Sequence, residues 1–142
     1  MIHMSREKAL KILNEPNGPE KLAAKAEQAF EPAWALYIKE NNAAAGAFLC
    51  RLAKQKKFRE AMAGKLCSAD ENARFCAMLL SDDAKLRKNT ARLMGALERQ
   101  EIHLHARLPL LARLRKNASL YSRCLYIREK RSGERTSRNR FT

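Results

Sequence analysis

Apolar residues recur along most of this chain at steps of three and four, the spacing of helices that turn one face toward a core. The clearest helix begins at Asp82 or Asp83, because a carboxylate there can cap the first turn. At 100° per residue, its apolar positions fall within about a third of the circumference. They are Leu86, Thr90, Leu93, Met94 and Leu97. The opposite side is basic and consists of Lys85, Lys88, Arg92 and Arg99.

The same spacing predicts helices nearer the N-terminus. A first helix is expected from Ser5 to Leu13. A second should start at Pro19, whose ring suits the first turn, and should break or kink at Pro32. A short separate piece is then predicted from Trp34, with Tyr37 and Ile38 in the core.

Further helices follow the junction Asn41-Asn42, which can end one helix and cap the next. They are expected over residues 43–54, over residues 58–66, and after a cap at Ser68 or Asp70. Downstream, the apolar face made by Leu104, Leu108, Leu111 and Leu114 contains Pro109, which would bend that helix or mark its start.

Composition points to an all-α fold. The chain has 142 residues and no Val, while Ala and Leu together supply 42 residues. Ala and Leu favour helices, and the β-branched residues that fill sheets are scarce. Residues 1–130 are expected to form a single helical domain. Residues 131–142 are polar and Arg/Ser-rich, so a disordered basic tail is predicted.

Residues 81–97 follow a recognisable order. An acidic capping pair precedes an apolar residue and an Arg, with a small residue, a large apolar residue and a Gly at later steps. This segment resembles the second helix of a HEAT-type helical repeat, and weaker copies occur at offsets of 45 and 34 residues. The resemblance implies a HEAT-like α-α helical stack, a short α-solenoid. An Ala/Leu-rich helical bundle remains the alternative, because any packed antiparallel helix shows a similar pattern.

The resemblance also implies structural roles for individual residues. Leu86, Met94 and Leu97 would pack between neighbouring helices, and Gly95 would permit close approach or end the helix. Arg87 would join a ladder of charges with Asp82 or Asp83.

The net charge of +14 suggests a polyanionic partner. Residues 107–142 alone hold 11 Lys/Arg against 2 Asp/Glu. Eight cations on two successive helices are candidates for tracking phosphates without reading bases. They are Lys85, Lys88, Arg92, Arg99, Arg107, Arg113, Arg115 and Lys116. A solvated helix face explains the same pattern without a ligand.

No residue cluster in the sequence indicates a reaction, a cofactor or a metal. His103 and His105 are two residues apart and would point to different sides of a helix. The four cysteines form no C-x-x-C pair, and the acidic pairs Asp70-Glu71 and Asp82-Asp83 stand where helices should be capped. A non-enzymatic, cytoplasmic protein without a membrane span is therefore expected.

Two functions fit these expectations. The first is a non-catalytic HEAT-like scaffold that binds a protein partner. The second is a basic RNA- or DNA-binding module, including the N-terminal part of a larger RNA-modifying enzyme such as a methyltransferase. The last repeat copy stops early, which favours the hypothesis that the chain is truncated or frame-shifted. Its C-terminal helices would then be uncovered, so homo-oligomerisation is expected.

Overall fold

The computed structural model describes residues 2–98 and residue 116, and everything regular in this part is helical. The prediction of an all-α fold is confirmed. The helices are α1 (Arg6–Leu13), α2 (Gly18–Ala23), α3 (Ala26–Glu40), α4 (Ala43–Leu52), α5 (Lys56–Lys65), α6 (Ala69–Ala77) and α7 (Ala84–Glu98). A single 3₁₀ turn, Met78–Leu80, extends α6. The predicted helix around Pro109 and the tail 131–142 lie outside the described residues.

The helices pack in successive pairs that form two layers. Within the pairs, α1 contacts α2, α3 contacts α4, and the 3₁₀ turn after α6 contacts α7. Across pairs, α3 touches both α1 and α6, while α4 touches both α2 and α7. The helices α2, α4 and α7 therefore lie side by side and carry the candidate site described below.

Side chains at the helix starts set the boundaries. Ser5 accepts a hydrogen bond from the backbone N–H of Lys8, and Asn42 accepts one from the N–H of Ala45 at 2.9 Å. Asp83 accepts from the N–H groups of the second and third residues of α7, at 3.0 and 3.2 Å. These bonds satisfy donors that the first turn of a helix leaves without partners.

The acidic pair Asp70-Glu71 lies in the first turn of α6 and does not supply its side-chain cap, whereas the predicted cap at Ser68 is confirmed. Ser68 accepts the capping hydrogen bond instead. Glu71 accepts a hydrogen bond from the indole Nε1 of Trp34 at 2.8 Å, and Asp70 pairs with Arg74. The Glu71 carboxylate therefore joins α6 to α3, because a buried indole N–H needs an acceptor.

The predicted break at Pro32 is wrong, because α3 continues through it from Ala26 to Glu40. Proline lacks the N–H that would bond to the carbonyl four residues earlier. That carbonyl belongs to Gln28, and it accepts a hydrogen bond from the backbone N–H of Met4 at 3.0 Å. The N-terminal segment thus replaces the missing bond, and Trp34 lies in the same helix as Pro32 rather than in a separate piece.

A chain of aromatic rings forms the centre of the core. Phe30 lies 5.6 Å from Phe58 and 6.4 Å from Trp34, measured between ring centroids. Tyr37 continues the chain, 5.9 Å from Trp34 and 6.3 Å from Phe75. These tilted arrangements suit the ring quadrupoles. They connect α3 with α5 on one side and with α6 on the other.

Candidate polyanion-binding groove

An open groove of about 1050 Å³ lies between α2, α4 and α7. Five of its lining residues are small and are called here the floor residues: Ala47, Ala53, Ala91, Gly95 and Ala96. Four cations line it, namely Arg51, Lys54, Arg59 and Arg92. The cavity with these four cations is called here the basic groove. Glu20 is the single carboxylate among the described lining residues. The groove lining therefore combines small uncharged residues with cations.

Close packing between α4 and α7 builds this floor. The side-chain amide of Asn89 donates to the carbonyl of Ala43 at 3.1 Å, and the Cys50 thiol donates to the carbonyl of Asn89 at 3.3 Å. A Cβ atom at Gly46 would lie 3.1 Å from the ring of Tyr37, tighter than ordinary contact. Gly46 therefore lets α4 approach α3 and α7 closely.

A buried hydrogen bond fixes α7 against α3. The Tyr37 hydroxyl and the Thr90 hydroxyl are 2.8 Å apart, and both residues are fully buried. Thr90 also donates to the carbonyl of Leu86 one turn earlier. Because Thr90 then acts as acceptor, Tyr37 is the donor of the shared bond. Burial raises the pKa of Tyr37 far above its usual range, so this donor keeps its proton.

Two of the groove cations are held by contacts within the protein. Arg51 donates to the carboxylate of Glu20 at 2.6 Å, which ties α4 to α2. Arg59 donates to the backbone carbonyl of Ala53 at 2.7 Å. The Arg51 guanidinium has five N–H donors, so its bond to Glu20 leaves others for an anion. These contacts orient the two arginines, and because Glu20 offsets only one of the four positive charges, the lining keeps a net positive charge.

The other two cations, Lys54 and Arg92, have exposed side chains. Cys50 lies beside them, and burial raises the pKa of its thiol to about 11, an effect that Arg92 only partly offsets. The thiol is therefore protonated at neutral pH and is a poor nucleophile. The groove offers positive charge and hydrogen-bond donors rather than a reactive group.

Carboxylates elsewhere in the described part are paired away from the groove. Glu27 pairs with Lys57 and Glu31 with Lys65, both joining α3 to α5. Glu40 accepts from Arg6 at 2.6 Å. The hydrogen bond from Arg6, aided by Coulomb attraction to its guanidinium, holds the pKa of the Glu40 carboxyl below its usual value. Since these acids serve helix–helix contacts, they leave the field of the groove positive.

The cations predicted from the sequence are only partly described. Lys85, Lys88 and Arg92 are exposed on one side of α7 and are called here the α7 row. Arg92 belongs to both the row and the groove, so the row extends the groove along α7. Lys116 is exposed. The remaining candidates, Arg99, Arg107, Arg113 and Arg115, lie outside the described residues.

The residues predicted to be structural occupy the inner side of α7 or its edge. Leu86, Met94 and Leu97 are 1%, 7% and 1% exposed. Gly95 lines the groove. The Arg87 guanidinium donates to the carbonyl of Ser81 at 2.6 Å, which fastens the loop before α7.

Three groove cations were not found by sequence reasoning. Arg51 stands at the end of α4, while Lys54 and Arg59 flank the start of α5. A signal did exist for two of them, because residues 54–59 hold four cations among six positions. Their meeting with Arg92 depends on the packing of α4 and α5 against α7, which no local pattern encodes.

Within residues 2–98, no group of His, Cys, Asp and Glu side chains has the arrangement of a metal site. None of the helices in this part has the length and apolar character required to cross a bilayer. Fold and groove together define an all-α protein of paired helices with a cationic surface. No protein-family model, curated protein or solved structure matches the chain.

Proposed function

We propose that this protein is a non-catalytic helical scaffold that binds nucleic acid through the sugar–phosphate backbone at its basic groove. One observation carries the proposal: four cations, from α4, the turn after it, α5 and α7, line one groove together with small residues and a single carboxylate. The side-by-side stacking of α2, α4 and α7 supports the further proposal that the scaffold is a HEAT-like α-solenoid.

Phosphates suit such a surface for two reasons. Lys and Arg that neutralise phosphates release condensed counterions, which favours binding whatever the base sequence. The small floor residues also leave room for a bulky backbone to approach the guanidinium groups. Because Arg51 and Arg59 are already oriented by internal hydrogen bonds, less side-chain entropy is lost when they bind an anion.

The second candidate is a scaffold for a protein partner, whose acidic segment would occupy the same groove. The uncharged floor formed by Ala47, Ala91 and Ala96 favours this candidate, because an extended peptide can lie on it while its carboxylates meet the groove cations. The two candidates differ in how steeply binding depends on salt and in which ligand competes.

A salt titration with matched variants tests the proposal. The full chain is titrated with a fluorescent 20-base-pair duplex at several salt concentrations. The triple variant Lys85→Gln, Lys88→Gln, Arg92→Gln removes the α7 row. The control Lys8→Gln, Lys11→Gln, Lys39→Gln removes three exposed lysines of α1 and α3, none of which lines the groove. Each lost phosphate contact should lower the log–log salt slope by about 0.9.

The expected result is a slope lower by about two to three in the α7-row variant and nearly unchanged in the control. Equal slopes in the two variants would show that α7 is not the binding surface. If the intact chain does not bind duplex DNA or RNA even at low salt, the nucleic-acid function is wrong. A poly-glutamate peptide that binds the intact chain but not the α7-row variant would then favour the protein-binding scaffold.

A further inference from the structure

Every aromatic residue in the described part of the chain is buried. These residues are Phe30, Trp34, Tyr37, Phe48, Phe58 and Phe75, and none is more than 7% exposed. Two of them are also held by hydrogen bonds, Trp34 to Glu71 and Tyr37 to Thr90. Ile2 is the one large apolar side chain exposed within residues 2–98. Within residues 2–98, the surface at the basic groove therefore presents cations without an exposed Phe, Tyr or Trp ring.

This combination selects between forms of nucleic acid. Proteins that bind single strands without sequence preference combine a cationic path with aromatic rings on which the unpaired bases stack. The described surface has the cationic path and lacks exposed aromatic rings. In a duplex, the bases already stack on each other and the phosphates face outward. Cations alone can therefore bind it through its phosphates, without aromatic rings.

Charge density favours a duplex as well. The α7 row spans seven residues, and a helix rises 1.5 Å per residue, so its ends are about 10 Å apart. Over that length a duplex presents about six phosphate charges, whereas one strand at helical spacing presents about three. The row thus meets about twice the phosphate charge per unit length when the ligand is double-stranded.

We infer that the basic groove and the α7 row bind double-stranded nucleic acid in preference to single strands, and that they do so without reading sequence. The inference rests on the proposed nucleic-acid function. The groove and the α7 row supply cations but no aromatic rings for stacking. Their preference for a duplex therefore comes from the higher density of phosphates along the duplex.

The test compares one mixed-sequence 20-nucleotide strand with its own duplex, using the full chain at equal salt. We expect the duplex to bind about tenfold more tightly and with the steeper salt slope, about 0.9 against 0.7 per phosphate contact. A second duplex of unrelated sequence should bind equally well. Duplexes of DNA and RNA are both included, because outward phosphates are common to the two.

Tyr121 and Tyr126, which lie outside the described residues, supply the control for stacking. The variant Tyr121→Ala, Tyr126→Ala should leave duplex affinity unchanged. Single-strand binding as tight as duplex binding would overturn this inference and leave the proposed function standing. Loss of duplex binding in the tyrosine variant would also overturn it. Failure of both ligands to bind the intact chain would overturn the proposed function itself.

Discussion

At the scale of single residues, side chains on α7 divide sharply between core and solvent. Met94 is 7% exposed, whereas Arg92, two positions earlier, is exposed. The substitution Met94→Asp should unfold or aggregate the protein. A buried unpaired charge costs several kcal/mol, and a typical domain is stable by about 5–15 kcal/mol. Thermal melting followed by circular dichroism measures this. Arg92→Asp is the control and should melt close to the parent, so equal melting of both variants would contradict the burial of Met94.

The buried thiol of Cys50 predicts a dependence of stability on alkaline pH. Burial raises its pKa from 9.0 to about 11, so the folded state disfavours the thiolate. The stabilisation is complete below pH 9 and is lost as pH rises toward about 11. The variant Cys50→Ser should therefore lose less stability over this interval, as measured by urea unfolding. Cys67→Ser, at an exposed position, serves as the control and should follow the parent curve.

Local chemistry could be predicted at this scale, and long-range pairing could not. The cap at Asp83 and the inward face of Met94 follow from their immediate neighbours in sequence. The bond of Tyr37 to Thr90 joins residues 53 positions apart, and Trp34 meets Glu71 across 37 positions. A helical pattern predicts that such residues are buried, but it does not predict which distant residues they bond to.

At the scale of elements, α3 shows how a helix accommodates an interior proline. Its boundary after Glu40 was predictable, because Asn41 adopts a left-handed conformation with φ of 55° that suits the end of a helix. The continuity through Pro32 was not, because the replacement donor is Met4, in a segment before α1. The rule that proline ends helices assumes that the carbonyl four residues earlier can accept a hydrogen bond only from within the helix.

This arrangement predicts an energetic coupling between the N-terminal segment and Pro32. Deleting residues 1–4 removes the donor to Gln28 and the buried Met4 side chain, which should lower the free energy of unfolding by about 1–3 kcal/mol. In a Pro32→Ala background, the new backbone N–H can bond to Gln28 itself. The deletion should then cost less, and urea unfolding of the four proteins as a double-mutant cycle measures the difference. Identical costs in the two backgrounds would show that the Met4 bond does not compensate for the proline.

At the scale of the whole molecule, the groove exists only while three helices are packed together. The sequence predicted the α7 row because its members share one helix face. It did not predict that Arg51 and Arg59 join Arg92, since that requires the tertiary packing of α4, α5 and α7. The candidate site was therefore foreseeable as a charged stripe but not as a groove.

A ligand that binds only the packed state should raise the melting temperature by mass action. We expect duplex nucleic acid to stabilise the intact chain at low salt, to lose this effect at high salt, and to have little effect on the variant Lys85→Gln, Lys88→Gln, Arg92→Gln. Differential scanning fluorimetry measures these shifts. Binding without any shift in melting temperature would place the contact outside the basic groove and the α7 row.

The contact between α4 and α7 also determines when, during synthesis of the chain, the groove can form. Its hydrogen bond from Asn89 to Ala43 spans 46 positions of the chain, and α5 and α6 are made between the two helices. A growing chain that has released α4 from the ribosome still lacks the helix that supplies Arg92 and three of the five floor residues. The groove can therefore assemble only after α7 emerges, so a nascent chain shorter than this has no completed surface with which to capture the abundant RNA around it.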